Sequence, residues 1–301
     1  MPPHDEFSGN QKVSLLNTTV MMIMINRPWL GPVAAAVFLY AANVWAADDA
    51  SRWDGDARSA VRLIAGSRAN DGKVLGAGIE IRLKPGWHTY WRYPGDAGVP
   101  PTFDFKGSQN LREVEVLWPA PQRLVQDGGV SIGYEHHVVL PLRILAEDGA
   151  RPVLLRLKLD YAICEKLCVP AQAGAELALP VGAAAQNVSL AAAVARVPRQ
   201  VVLGEGAKLA ILSVRRESGG GRPRLLVDVA TEDEAVDLFA EGPTPNWALP
   251  VPSRVDGAPV GVKRFAFELD GAPPGGKYEG ALITLTAVAT TAAIEVPIRL
   301  D

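Results

Sequence analysis

The sequence lacks an excess of either charge, with 30 Lys and Arg against 33 Asp and Glu and a net charge of −3. No block of like charges appears, which argues against nucleic acid or an anionic membrane surface as a partner. After Ala47 no apolar stretch approaches 18 residues, so we expect no membrane span in the mature chain. We also find no Ser/His/Asp arrangement, no phosphate-binding glycine loop and no paired carboxylates, and we expect no cofactor.

Cysteine is almost absent too, with two residues in the whole sequence. The N-terminal sequence indicates in which compartment these two cysteines would act. Residues 33–42 form an unbroken apolar run behind Arg27, and residues 44–46 form a small-x-small cleavage site. This pattern predicts a secretory signal peptide over residues 1–46, with the true start at a methionine within 21–24. The apolar run is short for a membrane span, although an uncleaved anchor is the alternative.

The two cysteines, Cys164 and Cys168, are separated by only three residues. In an exported protein such an isolated pair is expected to form a disulfide. Closing a loop of about five residues stabilises a fold by roughly 2 kcal/mol, against almost 5 kcal/mol for a 100-residue loop. The short spacing therefore favours a reversible redox function over a structural cross-link. A purely structural bond stays open, because Lys166 favours a thiolate and Glu165 opposes it.

The mature chain is predicted to be all-β, because short alternating runs are punctuated by 29 Gly and 24 Pro. The clearest strand is 153–161, which alternates core and polar positions. Pro141 suggests an edge strand or a bulge. The spacing of these runs indicates an immunoglobulin-like β-sandwich over residues 47–181. The other predicted strands of this sandwich are 78–83, 113–118, 138–144 and 175–179.

The second half of the chain is predicted to form another domain of the same class. Residues 182–198 are Ala-rich, and we predict a linker helix within them that Ser189 caps and Pro198 limits. Residues 199–301 return to strand patterns and contain neither Cys nor His. They match a second immunoglobulin-sized sandwich. Its predicted strands are 209–214, 224–230, 262–269, 281–289 and 292–300.

The cysteine segment is predicted to be the turn of a β-hairpin. Directly opposed residues of such a hairpin lie within disulfide range, because non-hydrogen-bonded pairs have Cα atoms about 4.5 Å apart. Continuing the alternation of strand 153–161 places Cys164 on the same face as Lys158 and Asp160. We therefore expect Cys164 to be at least partly exposed.

Residues 161–170, Tyr-Ala-Ile-Cys-Glu-Lys-Leu-Cys-Val-Pro, resemble the active-site segment of the N-terminal domain of the DsbD thiol:disulfide interchange family. The cysteine spacing is similar to that of its ScsB (suppressor of copper sensitivity) branch. The resemblance extends over nearly all of the mature chain. Further matching segments occur in the same order: 86–91, 98–101, 118–119, 133–134, 139–142, 238–239, 242–243 and 247–250.

The resemblance implies an immunoglobulin-like periplasmic module that exchanges disulfides with thioredoxin-fold proteins. Carried over, Cys168 would bond to the partner and Cys164 would resolve the mixed disulfide. The family's membrane core and thioredoxin-like domain do not occur in these 301 residues. A separate membrane electron-transfer protein is therefore a further expected partner.

The resemblance also implies a cap loop, which in the family shields the cysteines until a partner docks. It matches residues 125–134, where Gly128 and Gly129 beside Asp127 would permit the loop to move. The family shields its cysteines with an aromatic ring, which the segment 126–132 lacks. The remaining candidates for the shielding side chain are Ile132 and Tyr134.

An aromatic cluster follows Gly86 and is a further candidate for the site. Its members Trp87 and Tyr90 are expected to line the cysteine groove; stacking on a sugar or a base is the alternative. Together with Trp91 and Tyr93 they could instead pack the edge of the sandwich. A soft-metal site would need His88, His136 and His137 with the cysteines, but adjacent residues of a strand point to opposite faces, so we predict no metal site.

Three functions remain open from the sequence. The first is a periplasmic thiol–disulfide exchange module, a protein-disulfide oxidoreductase without a membrane core of its own. The second is a non-catalytic binding or assembly sandwich with a structural disulfide. The third is a copper-handling protein that uses the cysteine thiolates.

Overall fold

The computed structural model describes residues 49–68, 73–95, 98–126, 129–181, 188–217 and 222–301. The predicted signal peptide and the residues Asp127 and Gly128 lie outside these ranges. The described residues up to 179 form eleven strands. In order they are β1 (Asp54–Gly55), β2 (Ser59–Arg68), β3 (Val74–Leu83), β4 (His88–Gly95), β5 (Thr102–Asp104), β6 (Leu111–Val116), β7 (Gln122–Gln126), β8 (Gly129–Glu135), β9 (His137–Ala146), β10 (Val153–Cys164) and β11 (Cys168–Leu179).

These strands form a sandwich of two antiparallel sheets. The first sheet has the order β1-β2-β3-β9-β6, and the second has the order β11-β10-β4-β8-β7, with β5 added beside β10. Apolar side chains of both sheets meet between them in one core, to which β3 contributes Ile79 and Ile81 and β10 contributes Leu155 and Leu159. The all-β class predicted from the sequence is confirmed.

The alternation of β10 is the clearest agreement between the sequence and the structure. Leu155, Leu157 and Leu159 are buried in the core, while Arg156 and Lys158 on the opposite face are exposed. Residues two apart in a strand share a face, so the sequence pattern alone determines which side of β10 points inward.

The prediction that Pro141 marks an edge or a bulge was wrong. The strand that contains it, β9, lies between β3 and β6, and Pro141 pairs regularly with Gly78. The carbonyl of Pro141 accepts a hydrogen bond from Leu117 N at 2.8 Å, beyond the last residue of β6. The missing proline N–H points to this same side, where the ladder with β6 has already ended, so no ladder hydrogen bond is lost.

One helix occurs among the described residues, α1 (Val188–Ala195), and it lies within the segment predicted to be helical. It packs on the outer face of the first sheet, where Leu190 and Ala193 contact Ile64 and Val139. At eight residues the helix is too short to cross a bilayer. The helix is therefore attached to the first sandwich rather than extended between two domains.

Eight further strands occur among the described residues after the helix. In chain order they are β12 (Arg199–Gln200), β13 (Leu209–Glu217), β14 (Arg224–Thr231), β15 (Asp237–Glu241), β16 (Ser253–Val255), β17 (Val262–Glu268), β18 (Leu282–Val288) and β19 (Ala293–Arg299). They form two four-stranded sheets, with the orders β12-β19-β18-β15 and β13-β14-β17-β16, which share one apolar core and make up the second sandwich. The five strands predicted here all occur, and three short strands were not predicted, namely β12, β15 and β16.

Candidate functional site

The two cysteines occupy the end of the hairpin formed by β10 and β11. Cys164 is the last residue of β10 and Cys168 the first of β11, and they oppose each other directly in the register. Their Cα atoms are 4.2 Å apart and their Sγ atoms form a disulfide. The three-residue turn predicted between them, 165–167, is exposed to solvent. The hairpin thus presents the bond at one end of the second sheet.

The two sulfur-bearing residues differ in accessibility. Cys168 is exposed, whereas Cys164 is only 4% exposed. The expectation that Cys164 would be at least partly exposed was therefore wrong. Its face was assigned correctly, because Cys164 groups with Ala162 and Tyr90 rather than with the leucines of the sandwich core. This outer face of the sheet is covered at the position of Cys164.

The cover comes from the neighbouring strand β4. His88 pairs with Cys164 across the two strands, and Tyr90 lies two residues further on the same face. Both side chains are almost fully buried. The backbone of Gly98 in turn lies directly against the Tyr90 ring, since a Cβ atom at residue 98 would come within 2.5 Å of it. Glycine is therefore required where this loop closes over Tyr90.

The hydroxyl group of Tyr90 contacts the exposed cysteine. It donates a hydrogen bond to Cys168 Sγ over 2.9 Å, since a disulfide sulfur carries no hydrogen of its own. Burial raises the pKa of Tyr90 above its ordinary value, so the phenol stays protonated at neutral pH and keeps its donor. A donor in this position stabilises negative charge on Cys168 once the bond is reduced.

The uncharged imidazole of His88 lies beside Cys164. Burial lowers its pKa, although the carboxylate of Glu135 acts in the opposite direction. The imidazole packs edge-on against Tyr90, with the ring centroids 5.3 Å apart. Between these two residues, Thr89 Oγ1 donates a hydrogen bond to the carbonyl of Ala162 at 2.9 Å. This bond holds β4 against β10 at the level of the cysteines.

An apolar groove of about 300 Å³ runs beside Cys168. Two flanking side chains are prominently exposed, Leu167 at 77% and Val99 at 60%. Contiguous exposed apolar surface of this kind is a candidate contact surface for another protein. The groove is lined among others by Val99, Pro100, Ala162, Val169, Pro170 and Ala171.

Two side chains of the expected cap loop do not face the disulfide. Gly129 begins β8 with a φ of 128°. Ile132 and Tyr134 are buried in the core between the sheets, on the opposite face from the disulfide. The Tyr134 hydroxyl donates to the carbonyl of Pro119 at 2.7 Å. The side chain that covers Cys164 is instead Tyr90.

Trp87 and His137 contact residues other than the cysteines. Trp87 is half-buried against the sandwich core, with the Arg58 guanidinium 5.8 Å from the centre of its ring. His137 contacts Glu80 on the first sheet, and His136 is an exposed residue with a φ of 61°. Within the described ranges no three His, Cys, Asp or Glu residues form a group that could hold a metal ion.

Sequence reasoning missed the contribution of His88, which it considered only as a metal ligand. The available signal was its spacing of two from Tyr90, which places both residues on one face of β4. What the sequence could not supply was the pairing of β4 with β10.

Comparison with known proteins agrees with this site. Residues 60–180 match the family model of the thiol:disulfide interchange protein DsbD, N-terminal. No curated protein matches the chain significantly. The crystal structure of the N-terminal periplasmic domain of ScsB from Proteus mirabilis is similar with a TM-score of 0.65 and 19% identity, over 84% of this chain and 99% of that one. Residues 60–180, which contain the cysteine hairpin, therefore form a domain like the N-terminal domain of DsbD.

Proposed function

We propose that this protein exchanges disulfides with thioredoxin-fold proteins in the periplasm, with Cys168 as the attacking residue and Cys164 as the resolving one. The observation that carries the proposal is the asymmetry of the pair. Cys168 is exposed and accepts the Tyr90 hydrogen bond, whereas Cys164 is covered. A partner sulfur can approach the first residue but not the second.

The exchange begins from the reduced pair, which a thioredoxin-fold dithiol generates. The Cys168 thiolate attacks a partner disulfide and forms a mixed disulfide, while the broken partner bond releases a thiolate that takes up a proton. Cys164 then loses its proton and attacks Cys168 Sγ. The second partner sulfur leaves as a thiol. Two electrons and two protons pass to the partner, and the reverse sequence returns them.

A structural role for the disulfide is less well supported. Strands β10 and β11 pair along their whole length, over twelve residues each. A five-residue loop adds only about 2 kcal/mol in the chain-entropy model. The bond contributes little that the hairpin does not already have, which favours exchange over stapling.

Trapping of the intermediate tests the proposal. We expect C164A to accumulate a mixed disulfide with a thioredoxin-fold protein, because the resolving thiol is missing. C168A should accumulate none, and it is the matched control because it also retains one cysteine. Non-reducing electrophoresis followed by mass spectrometry identifies the adduct. If neither variant traps a partner under reducing or oxidising conditions, the binding and assembly function becomes the better explanation.

The periplasmic location rests on the apolar run 33–42 and the cleavage motif 44–46. Cleavage after Ala46 predicts that the exported protein begins at Ala47. N-terminal sequencing of protein from a periplasmic extract measures this directly; a product that retains residues 33–42 would indicate the uncleaved anchor.

A further inference from the structure

Four consecutive residues of β4 connect the disulfide to the second sandwich. Tyr90 binds Cys168, and each of the next three residues contacts the second sandwich. The Trp91 ring lies 5.9 Å from that of Phe239. The Tyr93 hydroxyl donates a hydrogen bond of 2.6 Å to the carbonyl of Leu249.

Arg92 contributes two ion pairs to these contacts. It donates two hydrogen bonds to Glu241, from Nε at 2.9 Å and from Nη2 at 2.8 Å. It also pairs with Glu295, and its guanidinium stacks 4.3 Å over the ring of Trp91. The two carboxylate side chains are only 15% and 12% exposed. Arg92 is therefore the cation that lets two poorly hydrated carboxylates approach each other.

The sheet itself holds this part of β4 weakly. Strand β4 pairs with β10 only at His88 and Thr89. On its other side the register with β8 becomes irregular between Tyr90 and Gly95. Regular backbone pairing of β4 thus ends at Tyr90. From Trp91 onward the strand also contacts the second sandwich.

We propose that the second sandwich positions Tyr90 against Cys168 through Arg92, so that this interface sets the reactivity of the exchanging thiol. The inference rests on the proposed function and assigns a role in it to the second sandwich. Arg92 acts as a positioning residue, because it touches neither cysteine. Its two hydrogen bonds to Glu241 fix the strand two residues beyond the phenol that donates to Cys168.

Arg123 offers a matched control on the same interface. From β7 it donates to Asp237 Oδ1 at 2.8 Å and to the carbonyl of Pro252 at 2.8 Å. Strand β8 separates β7 from β4. Loss of Arg123 should weaken the contact between the sandwiches without moving Tyr90.

The test measures the rate of Cys168 alkylation by iodoacetamide against pH in the C164A background, where Cys168 is the only thiol. We expect R92L to shift the pH midpoint upward and to slow the reaction at pH 7 roughly three- to tenfold, because the thiolate loses its donor. R92K keeps the charge but not the paired geometry and should be intermediate. R123L should lower the melting temperature and leave the profile unchanged.

A double-mutant cycle shows whether the effect passes through Tyr90. With Y90F present, R92L should cause no further shift. A wild-type profile in R92L, an equal shift in R123L, or a full shift in the Y90F background would each overturn the inference. If R92L does not fold, E295Q removes one of the two charges and is judged by the same criteria. Trapping by C164A alone decides the proposed function, so the two failures are distinguishable.

Discussion

At the scale of single residues, we expect the reactivity of the pair to depend on Tyr90 more than on the charges beside the cysteines. The Glu165 carboxylate lies against the turn at Gly86, where a Cβ atom would come within 3.2 Å of Oε1. The phenol, in contrast, aims its only donor at Cys168 Sγ. A hydrogen bond to a charged group contributes about 1.5–3 kcal/mol, so we expect Tyr90 to be the main local stabiliser of a Cys168 thiolate.

Replacement of Tyr90 by Phe isolates this hydrogen bond, since the ring that covers Cys164 is retained. We expect Y90F to raise the pKa of the reduced Cys168 thiol and to slow its exchange roughly three- to tenfold at pH 7. Stopped-flow exchange with a small disulfide measures the rate. Y134F is the control, because it removes a buried hydroxyl from the core face of the same sheet. An unchanged rate in Y90F would assign the phenol a packing role only.

His88 gives the first sandwich a pH dependence of stability. Burial lowers its pKa in the folded state, so the unfolded chain binds more protons as the pH falls below about 6.5. Stability is therefore full above that pH and decreases toward pH 5. The carboxylates Glu80 and Asp228 have lowered pKa values and lose their contribution only at lower pH.

Replacement of His88 by Phe should abolish this decrease. Thermal melts of the oxidised protein between pH 7.5 and pH 5 provide the measurement. H136N is the control, because His136 is exposed and Asn tolerates its positive φ. A decrease that persists unchanged in H88F would show that another group is responsible.

At the scale of elements, the faces of β3 and β10 could be predicted because alternation is a local property. The pattern of β10 specified its core residues without any knowledge of its neighbours. Short strands carry too few positions for such a pattern, and β15 and β16, with five and three residues, were missed. The exposure of Cys164 was mispredicted for another reason. Solvent was assumed on the outer face, whereas β4 and the loop at Gly98 cover it.

The chemistry of the site could be predicted only in part for the same reason. The cysteine pair and its turn are local, so the sequence identified them. The contact of Tyr90 with Cys168 spans 78 positions and depends on the pairing of β4 with β10. Shielding was expected from Ile132 or Tyr134, but their parity in β8 turns both toward the core.

At the scale of the whole molecule, the two sandwiches are joined by more than the chain between them. Arg92 pairs with Glu241 across 149 positions, and Arg123 binds Asp237 and the carbonyl of Pro252. Phe239 of the second sandwich packs into the core of the first. The division into domains 47–181 and 199–301 remains a prediction, and these contacts bear on whether the two would separate once the connection is cut.

Limited proteolysis tests the division and the interface together. Elastase cleaves after small residues, and the Ala-rich stretch 183–185 is its expected site. We expect two fragments that still co-elute in gel filtration, because the partly buried ion pairs and the Phe239 contact do not require an intact chain. In the double variant R92L/R123L the same cleavage should release two separately eluting fragments. Resistance of residues 182–198 to cleavage would argue against two domains, and separation of the wild-type fragments would mean that the interface is too weak to position β4.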